Sequence, residues 1–147
     1  MKKKINTEPL QFFVPNTQGK TQVAFINSGI SAGFPSPADD FKETRISLDK
    51  TLIKNEEATF YARVEGKSMI GAGLDDGDLL VIDRSLEPEH DKIAVCFIDG
   101  EFTVKRLKVE KDAVYLMPEN KSYKPIKVTQ ENNLLIWGIV TYVIKSV

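Results

Sequence analysis

Ile93-Ala94-Val95-Cys96-Phe97-Ile98-Asp99-Gly100-Glu101-Phe102-Thr103-Val104-Lys105-Arg106-Leu107 decides the fold class of this 147-residue chain. Two runs rich in β-branched and aromatic residues flank Asp99-Gly100. Asp-Gly is a strong signal for a two-residue type I′ turn, because both central residues there need positive φ. The stretch predicts a hairpin with strands at 93–98 and 101–107. Outward from it, apolar runs at 60–64, 79–82 and 113–117 are bounded by turn residues such as Asp75-Asp76-Gly77-Asp78. Leu134–Ile144 is nearly continuous in apolar residues, as a strand along a buried path would be. The body reads as mainly β. Helix is expected only in short stretches at 37–41 and 48–55, and no repeat of fixed period is present.

The first forty residues read differently, since Pro9, Pro15, Gly19, Gly29, Gly33, Pro35 and Pro37 interrupt every apolar patch. The expected organisation is an extended N-terminal arm over 1–40 and a compact, single β-rich domain over 41–147. Within the arm, Ile30-Ser31-Ala32-Gly33-Phe34-Pro35-Ser36-Pro37 joins small residues to two prolines that favour extended backbone. Such a segment can enter a narrow groove as a strand, and its composition equally suits an ordinary linker.

Composition removes several classes of function. Apolar residues make up 41% and charged residues 28%, with no apolar run long enough to cross a bilayer. Lys2-Lys3-Lys4 is followed by Ile5-Asn6-Thr7-Glu8-Pro9, which breaks the apolar stretch an export signal needs, so a soluble, cytoplasmic protein without membrane contact is expected. One cysteine, Cys96, and one histidine, His90, make neither an intramolecular disulfide nor a Cys/His metal cluster, and no metal or cofactor is expected. The net charge is −1, but residues 1–32 carry +3 and leave −4 on the remainder. A mildly acidic body argues against direct sequence-specific binding of nucleic acid.

The chemistry centres on Val64-Glu65-Gly66-Lys67-Ser68-Met69, where a serine follows a strand and a glycine. A serine without a base is no nucleophile. His90 lies in the charged turn Glu87-Pro88-Glu89-His90-Asp91, a poor site for the base of a Ser-His-Asp triad. A lysine can replace histidine when burial makes its amine neutral. Lys105, within the hairpin strand, is the candidate. Strict alternation groups Lys105 with Thr103 and Leu107, and Arg106 with Phe102 and Val104, without deciding which set faces inward.

Four blocks read together carry a family resemblance. They are Ala32-Gly33-Phe34-Pro35-Ser36-Pro37-Ala38-Asp39-Asp40, Val64-Glu65-Gly66-Lys67-Ser68-Met69, Asp76-Gly77-Asp78-Leu79-Leu80-Val81-Ile82-Asp83 and Asp99-Gly100-Glu101-Phe102-Thr103-Val104-Lys105-Arg106-Leu107. In order and spacing, from about residue 32 to the end, the chain resembles the LexA/UmuD type of self-cleaving Ser/Lys proteins. The resemblance implies Ser68 as nucleophile, Lys105 as base and the Ala32–Gly33 bond as the bond cut. The backbone N–H groups of Ser68 and Met69 are the expected oxyanion donors. One departure is Lys67, where family members often carry an acidic residue.

The repressor branch of that family needs a helix-turn-helix domain, which 32 residues interrupted by Pro9, Pro15, Gly19 and Gly29 do not make. The UmuD branch remains. It implies an accessory subunit of an error-prone Y-family translesion polymerase, trimmed after DNA damage in the SOS response. The implied partners are a RecA filament, the polymerase's catalytic subunit and a second copy of the chain in a homodimer. Two other readings compete: a non-catalytic, β-rich dimeric binding module for a polymerase, and a signal-peptidase-like enzyme, which would need a membrane anchor.

Overall fold

The computed structural model of the chain describes residues 10–19, 22–26 and 43–147. The helix expected at 37–41 and the Ala32–Gly33 bond lie outside them. The chain divides into two compact units, residues 16–54 and the remainder.

In the smaller unit, β2 (Val23–Ile26) pairs antiparallel with β3 (Glu43–Ile46), and α1 (Leu48–Leu52) follows. The helix is shorter than the stretch at 48–55, because the β-branched Ile53 already has extended dihedrals, φ −101° and ψ 110°.

The larger unit holds an eight-stranded antiparallel sheet. Its strands are β1 (Gln11–Phe13), β4 (Thr59–Arg63), β5 (Leu79–Asp83), β6 (Ile93–Ile98), β7 (Glu101–Val109), β8 (Val114–Met117), β9 (Ile126–Val128) and β10 (Leu134–Ile144). Their spatial order is β1-β4-β5-β10-β6-β7-β8-β9. The β6–β7 hairpin closes as the Asp-Gly pair predicts: Ile98 faces Glu101, and Asp99 and Gly100 take φ of 49° and 85°. The Asp99 carboxylate accepts the Asn133 N–H at 3.0 Å and the Asn132 amide at 2.7 Å, tying the turn to the chain entering β10.

β10 runs between β5 and β6, but only its centre, Gly138 and Ile139, is buried, while Leu135, Thr141, Tyr142 and Ile144 are exposed, so the buried path expected from its apolar run holds for part of the strand. Its register shifts between Ile136 and Gly138, and a Cβ at Gly138 would stand 2.5 Å from the Ile82 side chain. Close approach of the two strands thus requires glycine. Two apolar clusters are built on the sheet. Ala62, Val64, Met69, Leu80, Ile82 and Val95 belong to one, and Ala94, Cys96, Ile98, Leu107 and Leu116 to the other. β6 supplies Val95 to the first and its alternate residues to the second, so both sides of this strand are covered.

Three differences from the sequence reading have local causes. Val64 leaves the strand expected at 60–64, because its N–H and C=O are taken by Asp78 and Gly77 in a loop closure. The strand expected at 101–107 continues to Val109 by pairing with β8. β9, three residues after Pro125, carries too short a pattern to read.

Candidate active site

Ser68 lies in the loop that leaves β4. Gly66 has φ 104°, which permits the sharp bend, and its N–H donates to the Asp76 carboxylate at 2.8 Å. The loop then enters a short 3-10 turn at Ile70–Ala72. Ser68 is fully buried, whereas the neighbouring Lys67 is exposed.

A segment distant in sequence fixes this loop. The Glu119 N–H donates to the Ser68 carbonyl at 2.8 Å, and the Gly71 N–H donates back to the Glu119 carbonyl at 2.7 Å. The Asn120 side-chain amide donates to the Lys67 carbonyl at 2.8 Å. A Cβ on Gly71 would meet the Glu119 carbonyl oxygen at 2.5 Å, so glycine is needed for the clasp. Arg106 holds the other end of Glu119 through an Nε to Oε1 contact of 2.5 Å, and donates to the Asp91 carbonyl at 2.6 Å. A cavity of about 450 Å³ opens beside the clasp, lined by Gly71, Pro118, Glu119, Asn120 and Tyr123 among others.

Lys105 stands opposite Ala94 in the β6–β7 ladder. Thr103, Lys105 and Leu107 are all buried, so this set faces inward while Arg106 serves the clasp on the other side. Lys105 is 4% exposed, and its amine lies 2.9 Å from Ser68 Oγ, 2.8 Å from Thr103 Oγ1 and 3.1 Å from the Val104 carbonyl oxygen. The structure thereby brings together two residues 37 positions apart. A neutral amine has two N–H donors and one lone pair, which suits two acceptors plus a hydroxyl that donates to it.

Cys96 pairs across the ladder with Thr103, on the same face as Lys105. Burial pushes its thiol up from 9.0 to about 12, so Cys96 is an inert packing residue. His90 stays away from the serine: its Nδ1 accepts the Val109 N–H at 3.0 Å, and its ring is more than half exposed. Met69 is buried at the start of the 3-10 turn.

Sequence reasoning did not single out Thr103, Arg106, Glu119 or Asn120 as parts of this site. Thr103 carried a usable signal, since it shares the Lys105 face two residues away. Glu119 and Asn120 carried none, because their partners lie some fifty positions off.

The geometry agrees with kinship. The model of the Peptidase S24-like family matches residues 24–141. The chain belongs to that family. Protein MucA of Salmonella typhimurium is 40% identical over 121 residues, which cover 82% of each chain. Protein ImpA of Escherichia coli is 44% identical over 117 residues, 77% of each. The LexA repressor of Stenotrophomonas maltophilia is 36% identical over 110 residues, 75% of this chain and 52% of that one. The LexA/UmuD resemblance thus stands, and with it peptidase activity of the self-processing serine type. Among the described residues no helix is long and apolar enough to cross a membrane.

Proposed function

We propose that this S24-type peptidase cuts its own Ala32–Gly33 bond with Ser68 as nucleophile and Lys105 as general base. The supporting observation is the buried 2.9 Å contact between Lys105 Nζ and Ser68 Oγ. Burial penalises an ammonium more than an amine, which favours the form able to take a proton. Ser68 Oγ attacks the Ala32 carbonyl carbon as its proton passes to Lys105. The resulting ammonium protonates the Gly33 nitrogen as the C–N bond breaks, leaving an acyl-enzyme on Ser68. Water then attacks the ester carbon, giving a proton to the same amine, which passes it to Ser68 Oγ as the ester C–O bond breaks and the Ala32 carboxylate departs. The backbone N–H groups of Ser68 and Met69 are assigned to the oxyanion. A small residue at 32 and glycine at 33 allow close approach of backbone to hydroxyl.

In this reading residues 1–40 are the substrate arm and residues 41–147 the peptidase domain. A tethered substrate has a high effective concentration, so control must come from docking of the arm. A surface that favours the docked state speeds cutting without supplying a catalytic group. A RecA filament on single-stranded DNA takes that part. The trimmed product is a cytoplasmic, homodimeric accessory subunit for the catalytic subunit of an error-prone Y-family polymerase in SOS mutagenesis.

Mass spectrometry tests the assignment. Incubation in mildly alkaline buffer is expected to yield fragments of 32 and 115 residues from the 147-residue chain, faster than at neutral pH. Fragments from another bond contradict the site, and unaltered scission in Ser68→Ala contradicts the nucleophile.

A further inference from the structure

A strand sends neighbouring side chains to opposite faces, so Lys105 and Arg106 of β7 point away from each other. Both nevertheless end on the Ser68 loop. The Lys105 amine meets Ser68 Oγ directly at 2.9 Å. The Arg106 guanidinium reaches the same residue through Glu119: its Nε donates to Oε1 at 2.5 Å, and the Glu119 N–H donates to the Ser68 carbonyl at 2.8 Å. Ser68, Lys105, Arg106 and Glu119 thus close a circuit of bonds. Hydroxyl and amine are joined once through their own atoms and a second time through Glu119 and the β7 backbone.

The second connection has supports on both sides. Met117, the last residue of β8, pairs with Arg106, and Pro118, whose ring fixes its own φ, then leads the chain to Glu119. Residues 118–120 belong to no strand or helix, so the bonds of Glu119 and Asn120, not a ladder, set where this segment lies. Arg106 is held in turn by Asp91, whose carbonyl accepts from Nη1 at 2.6 Å and whose N–H donates to the Leu107 carbonyl at 2.8 Å. Asp91 has φ 70°, a conformation that costs a non-glycine residue and is kept here by those bonds. The side chains of Arg106 and Glu119 are 30% and 33% exposed, which partly shields their bond from competing water.

We propose that Arg106 and Glu119 are positioning residues for the scission: their bond holds Ser68 Oγ at the distance from the Lys105 amine at which a proton can pass. This rests on Ser68 and Lys105 acting as proposed above. The contacts described for the two side chains lead to Oγ only through the backbone of Glu119 and Ser68, so they supply alignment and no proton. A guanidinium and a carboxylate both keep their charges between pH 7 and 10, and the alignment they give is therefore the same throughout that range. Misplacing a reacting group by about 1 Å can cost about 10²-fold in rate, so a loop shift too small to disturb the fold is large enough to read.

The test compares the full chain with Glu119→Ala, Arg106→Met, the double variant, Glu119→Gln and Ser68→Ala, each verified as folded by circular dichroism, with self-scission followed from pH 7 to pH 10. Glu119→Ala and Arg106→Met are each expected to slow scission by about 10- to 100-fold, by the same factor at every pH. The double variant is expected to be no slower than the slower single one, since both substitutions break the same connection. Glu119→Gln, whose amide oxygen still accepts from the guanidinium, is expected to stay within about threefold of the parent. In the Ser68→Ala background, protection of the Gly71 and Glu119 amides against hydrogen exchange is expected to fall about tenfold with Glu119→Ala and to return with Glu119→Gln. Scission at the parent's rate in folded Glu119→Ala overturns the proposal, as does unchanged protection of the two amides. A loss that disappears at pH 10 also overturns it, because the pair would then act on the charge of Lys105 and not on alignment. Should Ser68→Ala cut as the parent does, the nucleophile assignment falls; with Ser68→Ala inert and Glu119→Ala unimpaired, only the positioning role falls.

Discussion

Two lysines of the larger unit differ in burial and in the contacts described for their amines. Lys145, just past β10, is exposed, and its amine lies 2.5 Å from Asp75 and 2.5 Å from Asp78. Hydrogen bonds to Asp75 and then Asp78 raise its pKa above the ordinary lysine value, so it is a lasting cation that ties the C-terminal segment to the turn before β5. Lys105 is buried, and the contacts described for its amine are two hydroxyls and a carbonyl. The same side chain is an anchor where carboxylates meet it and a candidate base where neutral oxygens do.

Breaking that difference gives the largest expected effect. Thr103→Asp would place a carboxylate beside Lys105 and make its setting resemble that of Lys145. Self-scission is expected to slow by about 10²-fold or more, because the ammonium is stabilised and the base withdrawn. Rate by gel densitometry, with circular dichroism to verify the fold, checks this. Unchanged scission would mean that the hydroxyl and carbonyl contacts of the Lys105 amine are incidental.

The Ser68 loop depends on the clasp to Glu119, and Gly71→Ala attacks it. The new Cβ meets a backbone oxygen, so something must move; a loss of roughly 1–3 kcal/mol in urea unfolding is expected, with slower scission. A smaller effect follows from Cys96. The unfolded thiol ionises from about pH 9, whereas the folded one keeps its proton to about pH 12. Between those values the unfolded state binds fewer protons, so stability falls as pH rises, by roughly 1.4 kcal/mol per unit at most from this group. Cys96→Ala is expected to flatten the slope of unfolding free energy between pH 9 and 11. Smallest of all is Lys145→Met, which removes the ammonium shared by the exposed Asp75 and the buried Asp78: a small fall in the melting temperature and no change in scission are expected from thermal melts and the same gel assay.

Legibility in the sequence followed how local the cause was. The β6–β7 hairpin could be read because Asp99-Gly100 sets its own turn, and β10 because a nearly continuous apolar run of eleven positions, interrupted by Gly138 and Thr141, leaves few alternatives. Lys105 and Arg106 could be sorted into opposite groups, but their phase could not be read, since Val104 on one side and Thr103 on the other are both buried. β1 escaped notice because Pro9 and Pro15 flank it and its anchor is a ring packed against residues ninety and more positions away. The pairing of Ser68 with a lysine came from the resemblance, not from periodicity. The hydrogen bonds of Glu119 and Asn120 to that loop depend on tertiary closure alone.

Self-scission of Lys105→Met, followed beside the parent from pH 7 to pH 10 by mass spectrometry, tests the central claim most directly, because methionine keeps an unbranched, buried side chain and removes only the amine. The account predicts that the parent accelerates with pH while the variant stays slower by about 10³-fold or more at every pH, without that rise. Scission in the variant that keeps both the parent's rate and its pH dependence would contradict Lys105 as the base.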